Sequence, residues 1–303
     1  MLLFVVTVFS LNRFKTNVVT IVVTIKQVLS LIETFITKSL FMRSVTLLLS
    51  LLLFTSLSIA KFDFEFWQTH DQTSKKMVDH SSWQALLDQY LNSEDPSGIN
   101  RFNYSMVSKK DKQSLEKYIN YLQTIQPATL NQNEQFSYWI NTYNAVTVNL
   151  ILDKYPVDSI KEIRFLTSPF GPWDKNIIKV SGEKLSLNDI EHNILRPKFK
   201  DPRIHFAVNC ASLGCPNLQP IAFTASNIET LLEQSAHEFM NHPRGVLVQN
   251  NQITLSKIFE WYADDFGQNE PDVLNYVAQY YAKPELLKNG SSVQYKYDWD
   301  LNQ

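Results

Sequence analysis

The stretch from Glu134 to Tyr155 constrains the fold more than any other, because its apolar side chains recur on nearly every face of a helix. A helix of that kind belongs at the centre of a domain, covered on all sides by the rest of the chain. Two of its asparagines stand out. Asn144 falls on the stripe of Ile140, Thr147, Val148 and Ile151, and Asn141 precedes it by one turn. A buried carboxamide left unpaired costs about 1 to 3 kcal/mol. Both asparagines therefore need partners: they either tie neighbouring loops to the core or face a site and orient a catalytic group or substrate.

Around this helix the sequence alternates helical and extended patterns without repeats or low-complexity linkers. Helical spacing runs over Ser82–Leu91, Lys109–Ile125, Leu187–Leu195, Thr224–Met240, Ser256–Asp265 and Pro271–Ala282, with Pro127 and Pro156 closing the second helix and the central one. Extended patterns cover Ile177–Val180, Ile204–Asn209, Val246–Gln249, Ile253–Leu255 and Val293–Tyr297, and Asn250-Asn251 suits a tight hairpin. Hairpins in place of regular βαβ units predict an α+β fold, with helices and short antiparallel strands around the buried helix in a single domain.

The N-terminus reads as an address. Met42-Arg43-Ser44, the apolar run Val45 to Leu57 and the small-x-small ending Ser58-Ile59-Ala60 make a signal peptide over residues 42–60, cleaved after Ala60. The run is shorter than the roughly 20 residues a membrane anchor needs. Residues 1–41 read as an upstream extension from a start placed too early, residues 61–79 as an N-terminal arm and residues 80–303 as the domain proper. The expected location is periplasmic or secreted, with no stable membrane insertion after cleavage. Of the 28 basic and 30 acidic residues, five basics and Glu33 precede Lys61, which leaves the remainder near −6. That charge argues against a nucleic-acid partner, and the expected partner is a small-molecule or peptide ligand. The high aromatic content suits a substantial core.

The only two cysteines, Cys210 and Cys215, lie in one short segment, so all thiol chemistry is confined there. In an oxidising compartment they would bridge or need protection from bridging. Four intervening residues including Gly214 allow a bridged loop. A catalytic thiol with a histidine base is the second reading. Metal ligation fits poorly, since the spacing differs from zinc knuckles and no second pair exists; no metal or cofactor is expected. Read as a strand, Ile204–Asn209 sends Ile204, Phe206 and Val208 to the core and His205, Ala207 and Asn209 to the other face, leading to Cys210. A histidine beside a thiol and a carboxamide is the inventory of a thiol hydrolase.

Ser186 and Asp189 make a helix-capping pair. Glu191 then falls on the apolar stripe between Leu187 and Leu195, where a carboxylate needs a donor or a raised pKa. It is read as a salt-bridge member or a catalytic base, with His192 on the flanking polar side. His237 and His242 read as structural, near a helix C-terminus.

These residues resemble successive blocks of the domain-of-unknown-function 547 family: Phe136 to Ala145, Ser186 to Pro197, Asp201 to Pro216, Leu255 to Tyr262 with Asp265-Phe-Gly267, and the ending Tyr297 to Asn302. The resemblance implies a stand-alone, exported bacterial form without the leucine-zipper segment of plant relatives. It implies no reaction. It does imply that Asn141, Asn144, Glu191, His192, His205, Cys210 and Cys215 stand where the family's polar motif residues stand. The leading expectation is a cysteine-dependent hydrolase or acyl transferase, with Cys210 or Cys215 as nucleophile, His205 as base and Asn141 or Asn144 as orienter or oxyanion donor. The alternative is a non-enzymatic envelope binding domain stabilised by a Cys210–Cys215 disulfide. A reversible redox pair is a third reading, weakened by the absence of Cys-x-x-Cys.

Overall fold

The computed structural model describes residues 63–165, 171–250, 252–287 and 292–303. The upstream extension over 1–41, the signal peptide over 42–60 and the cleavage point after Ala60 lie outside the described residues. Among them, no helix is long and apolar enough to cross a membrane.

The chain folds as α+β, with helices dominating and, among the described residues, three small separate sheets. Helix α1 (Phe64–Gln68) is followed by α2 (Ser81–Tyr90), the short pair β1 (Leu91–Asn92) and β2 (Arg101–Phe102), and α3 (Lys109–Thr124). Ser108 starts α3 by accepting from the Asp111 amide at 3.1 Å while donating its hydroxyl to the Asp111 carboxylate at 2.6 Å. Helix α4 (Gln132–Lys154) is the central helix expected from the sequence, capped by Asn131. Its burial is continuous from Glu134 to Val148, and Tyr138, Trp139 and Ile140 are essentially inaccessible. Covering each such large side chain contributes about 2 to 3 kcal/mol.

After the hairpin of β3 (Ile178–Val180) and β4 (Glu183–Leu185), the segment Asp189–Leu195 winds as a π-helix and runs into α5 (Arg196–Phe199). The expected capping pair is present: Ser186 Oγ accepts from the Asp189 amide at 3.0 Å, and the Asp189 carboxylate accepts from the Ser186 amide and hydroxyl. Lys198 of α5 donates to the carbonyls of Trp67, Gln68 and Thr69, which closes the C-terminal end of α1.

The expected strand over Ile204–Asn209 is instead helix α6 (Ile204–Ala207). Asp201 and Pro202 start it, their carbonyls accepting from the Ile204 and His205 amides, while Asp201 Oδ1 accepts from the Arg203 amide at 2.9 Å. The change of period redistributes the side chains. Ile204, Ala207 and Val208 pack into the core around α4, whereas Phe206 enters a second core built from Phe239, Phe259, Phe266 and their neighbours. Helix α6 thus joins the two cores.

The second core is formed by α7 (Ile228–Met240), β5 (Val246–Gln249), β6 (Gln252–Ser256), α8 (Ile258–Trp261), α9 (Ala263–Phe266), α10 (Glu270–Ala278) and β7 (Ser292–Lys296). Gln249 pairs with Gln252, so β5 and β6 are antiparallel neighbours, and Asn250 takes a φ of 49°; Asn251, the second residue of the expected hairpin turn, lies outside the described residues. The pairing of β6 with β7 is parallel, not antiparallel. Helices α8 to α10 lie between them and supply the long crossover that parallel pairing requires. The helix expected over Ser256–Asp265 breaks into α8 and α9 at Tyr262, whose φ of −118° lies outside the helical range.

Candidate functional site

The segment between Ala207 and Pro216 is suspended from its surroundings by side chains. Asn144 Nδ2 donates to Ala207 O at 3.0 Å, and Asn144 Oδ1 accepts from the Asn209 amide at 2.8 Å. Asn209 then accepts from the Ala211 amide at 2.8 Å and donates to Pro216 O at 2.7 Å, spanning the loop from within. Ala211 takes a left-handed φ of 59°, an uncommon state for a residue with a Cβ, held by these bonds. From the outside, Arg244 donates to Leu213 O at 3.0 Å. The C-terminal residues add backbone bonds from Leu213 to Asp300, from Gly214 to Asp298 and from Asn302 to Ala211. Gly214 is required there, because a Cβ would lie 2.7 Å from Asp298 O.

Within this frame Cys210 and Cys215 form a disulfide, with Cα atoms 6.1 Å apart. The Cys210 amide donates to Cys215 Sγ at 2.9 Å, and Tyr297 Oη donates to the same sulfur at 3.2 Å while lying 3.0 Å from Cys210 Sγ. Burial pushes the Tyr297 phenol up, which keeps it a proton donor. Neither sulfur is free in this state.

The disulfide forms one wall of a cavity of about 240 Å³ at the meeting of the two cores. Its lining also holds aromatic rings, Tyr143 from α4, Trp173, Trp261 and Tyr262 from the α8 end, and Tyr297 and Trp299 from the C-terminal segment. Trp261, Tyr297 and Trp299 touch one another with centroids 4.6 to 5.6 Å apart. Glu191 and His205 supply the buried polar part of the lining, at 5% and 2% exposure.

His205 is held between two carboxylates. Its Nε2 lies 2.6 Å from Asp265 Oδ2, and its Nδ1 lies 3.7 Å from Glu191 Oε1, an ion-pair rather than a hydrogen-bond separation. The ring stacks on Tyr262 with centroids 4.0 Å apart, and the Arg196 guanidinium, which donates twice to Asp265, lies 5.2 Å from the centre of the same tyrosine. Burial raises the Asp265 carboxyl, but the contacts with His205 and Arg196 outweigh it and hold the group well below the usual carboxylate range. Glu191 follows the same balance: burial raises it, contact with His205 and the charge of His192 lower it, and the net direction is down, so it is ionised at neutral pH. Burial, then the Glu191 charge, pushes the Tyr143 and Tyr262 phenols up.

The seven residues expected to form the site divide into groups. Glu191, His205, Cys210 and Cys215 converge on the cavity. His192 faces the other side of the π-helix, beside Arg196, with its Nδ1 3.4 Å from Arg196 Nη1. Asn141 and Asn144 lie under the site rather than in it, Asn141 pairing both ways with the Phe223 backbone at 2.7 and 3.1 Å. His205 shares the cavity lining with the two cysteines, yet its nitrogens face Asp265 and Glu191 and no hydrogen bond joins it to either sulfur. Asp265, Tyr262, Trp261 and Trp299 fall within the family-like blocks of the sequence but were not assigned to the site, and Trp173 falls outside those blocks. The available signal was the aromatic excess, and three of the six tryptophans line this cavity instead of filling a core.

A family model described as "Protein of unknown function, DUF547" matches residues 127–240, which include α4, the π-helix, α6 and the disulfide loop. Neither the curated proteins nor the solved structures provide a match.

Proposed function

We propose that this chain, which matches the domain-of-unknown-function 547 family model over residues 127–240, is an exported ligand-binding domain whose disulfide-walled aromatic cavity receives a small molecule or the side chain of a peptide. The observation that carries this reading is the convergence on one cavity of six aromatic residues, a buried carboxylate and a disulfide. Preformed, largely apolar cavities with a few fixed polar groups are the usual form of small-ligand sites. The bridge fits an oxidising compartment. The Asn144, Asn209 and Arg244 contacts all serve to fix the loop that bears it, as a rigid binding wall needs.

A cysteine-dependent acyl transfer has one observation in its favour. In a reduced protein, the Cys210 amide and the Tyr297 hydroxyl would stabilise a Cys215 thiolate. It needs prior reduction, and it needs a base other than a histidine whose nitrogens already face carboxylates.

Ligand-observed NMR with a mixture of charged, sugar-like and neutral aromatic compounds tests the binding reading. Compounds whose signal is lost in Trp261→Ala are the expected result. Absence of any compound sensitive to that variant overturns it. Full activity loss on alkylation of a reduced sample towards a thioester or peptide substrate would instead establish the thiol enzyme.

A further inference from the structure

The cavity has a consistent electrostatic sign. Its six aromatic residues supply ring carbon and phenolic oxygens, its buried titratable groups are the Glu191 carboxylate and His205, Asp174 stands at the rim, and among the described residues no lysine or arginine lines it. Of the guanidinium groups near its walls, Arg196 is committed to Asp265 and to Tyr262, and Arg244 to the Leu213 carbonyl and the Asn217 side chain. The rings of this wall already accept cations: Lys161 Nζ lies 5.0 Å from the centre of Trp299, and Lys161 is not part of the lining. A carboxylate kept ionised in an aromatic chamber attracts a counter-charge.

An anion entering here would meet like charge without a compensating donor pair, whereas a cation would add a second partner to Glu191, whose ion-pair contact is His205 Nδ1 at 3.7 Å, on an imidazole shared with Asp265. A primary ammonium would bring three N–H donors, each needing an acceptor, to walls that offer mostly carbon. A fully alkylated nitrogen has no such demand. Its methyl groups spread the positive charge over the ring faces, while the carboxylate neutralises it from below.

We infer that the cavity bordered by Glu191, Trp173, Trp261, Tyr297 and Trp299 is a site for an alkylated ammonium group of the choline kind. This inference rests on the binding-domain reading and specifies its ligand. The ligand is recognised by charge and shape together, with the disulfide as an inert wall.

Calorimetric titration of the intact protein with choline and with 3,3-dimethylbutan-1-ol, in which carbon replaces the charged nitrogen, separates charge from shape. Choline is expected to bind about tenfold or more tightly than the alcohol, the size of one desolvated cation–π contact. Trp261→Ala, at a position 43% exposed and therefore tolerant of truncation, is expected to weaken choline binding by a similar factor, as is Glu191→Gln where it folds. Vesicles of phosphatidylcholine distinguish the sources. Co-flotation abolished by Trp261→Ala assigns a lipid headgroup, and choline binding without co-flotation assigns a soluble cation. Equal affinity for choline and the alcohol overturns the inference but leaves a binding domain, as does a site that takes neutral compounds and no choline. A protein that binds nothing through Trp261 overturns both.

Discussion

His205 Nε2 and Asp265 Oδ2 lie 2.6 Å apart, and the same carboxylate receives both arms of Arg196. The carboxyl's pKa is lower in the folded protein than in the unfolded chain. Its contribution to stability is therefore complete above the unfolded value of about 4 and is lost as pH falls through the folded value. Urea unfolding midpoints should drop steeply below about pH 4, and Asp265→Asn should be less stable at neutral pH and flatter on the acid side. An unchanged acid slope in the variant would place the acid sensitivity elsewhere.

His80 should add a second, milder pH dependence. It is buried, its Nδ1 lies 2.6 Å from the Tyr118 hydroxyl, and burial pushes its pKa down to about 4. Between the unfolded value of about 6.5 and that value, the unfolded chain binds the extra proton, so stability falls as pH falls. The expected loss across this window is about 3 kcal/mol. His80→Gln should reduce the slope between pH 6.5 and 4, leaving the part that His192 and His242 share, whose pKa values are also lowered by burial, as read by denaturant titration at a series of pH values.

Asn144→Leu should destabilise the fold without emptying the cavity. The substitution leaves the Ala207 carbonyl and the Asn209 amide buried without their partner, at about 1 to 3 kcal/mol each. The diagnostic measurement is choline affinity beside the unfolding free energy. A variant that keeps its fold at low temperature should still bind, whereas complete loss of binding in a folded variant would make Asn144 part of the site.

Gly214→Ala and Cys210→Ser should both strike the loop, by different routes. The added Cβ drives into the Asp298 backbone, an overpacking expected to cost about 1 to 3 kcal/mol. Removing the bridge releases a short loop of the unfolded chain, worth about 2 kcal/mol on chain entropy. Because both changes act on the same loop, the double variant should fall short of the sum. Strict additivity in thermal or denaturant unfolding would contradict that coupling.

The sequence made α4 and its buried asparagines legible because a helix apolar on all sides has one place to go, and both Asn141 and Asn144 did find backbone partners. It misassigned Ile204–Ala207 because four residues are too few to separate a period of 2 from 3.6. The Asp201-Pro202 start was the local clue, and β-branched and aromatic composition masked it. Glu191, His205 and the cysteines stood out as polar or sulfur-bearing residues in apolar surroundings. Their companions did not. Trp173, Trp261 and Trp299 come from distant segments and look individually like core, and Asp265 resembles any other surface carboxylate until the fold brings it against His205.

The disulfide loop is sealed by residues that follow it at long range: Asp298, Asp300 and Asn302 supply the backbone partners of Gly214, Leu213 and Ala211. In kinetic terms the two sulfurs are neighbours from the moment they leave the ribosome, whereas the walls that enclose them, Tyr297 and Trp299, arrive with the final segment of the fold. The bridge is thus a local event and the cavity a late one. A separation of five residues lets the bridge close without the rest of the fold, whereas Tyr297 and Trp299 can enclose it only when the C-terminal segment packs against the loop.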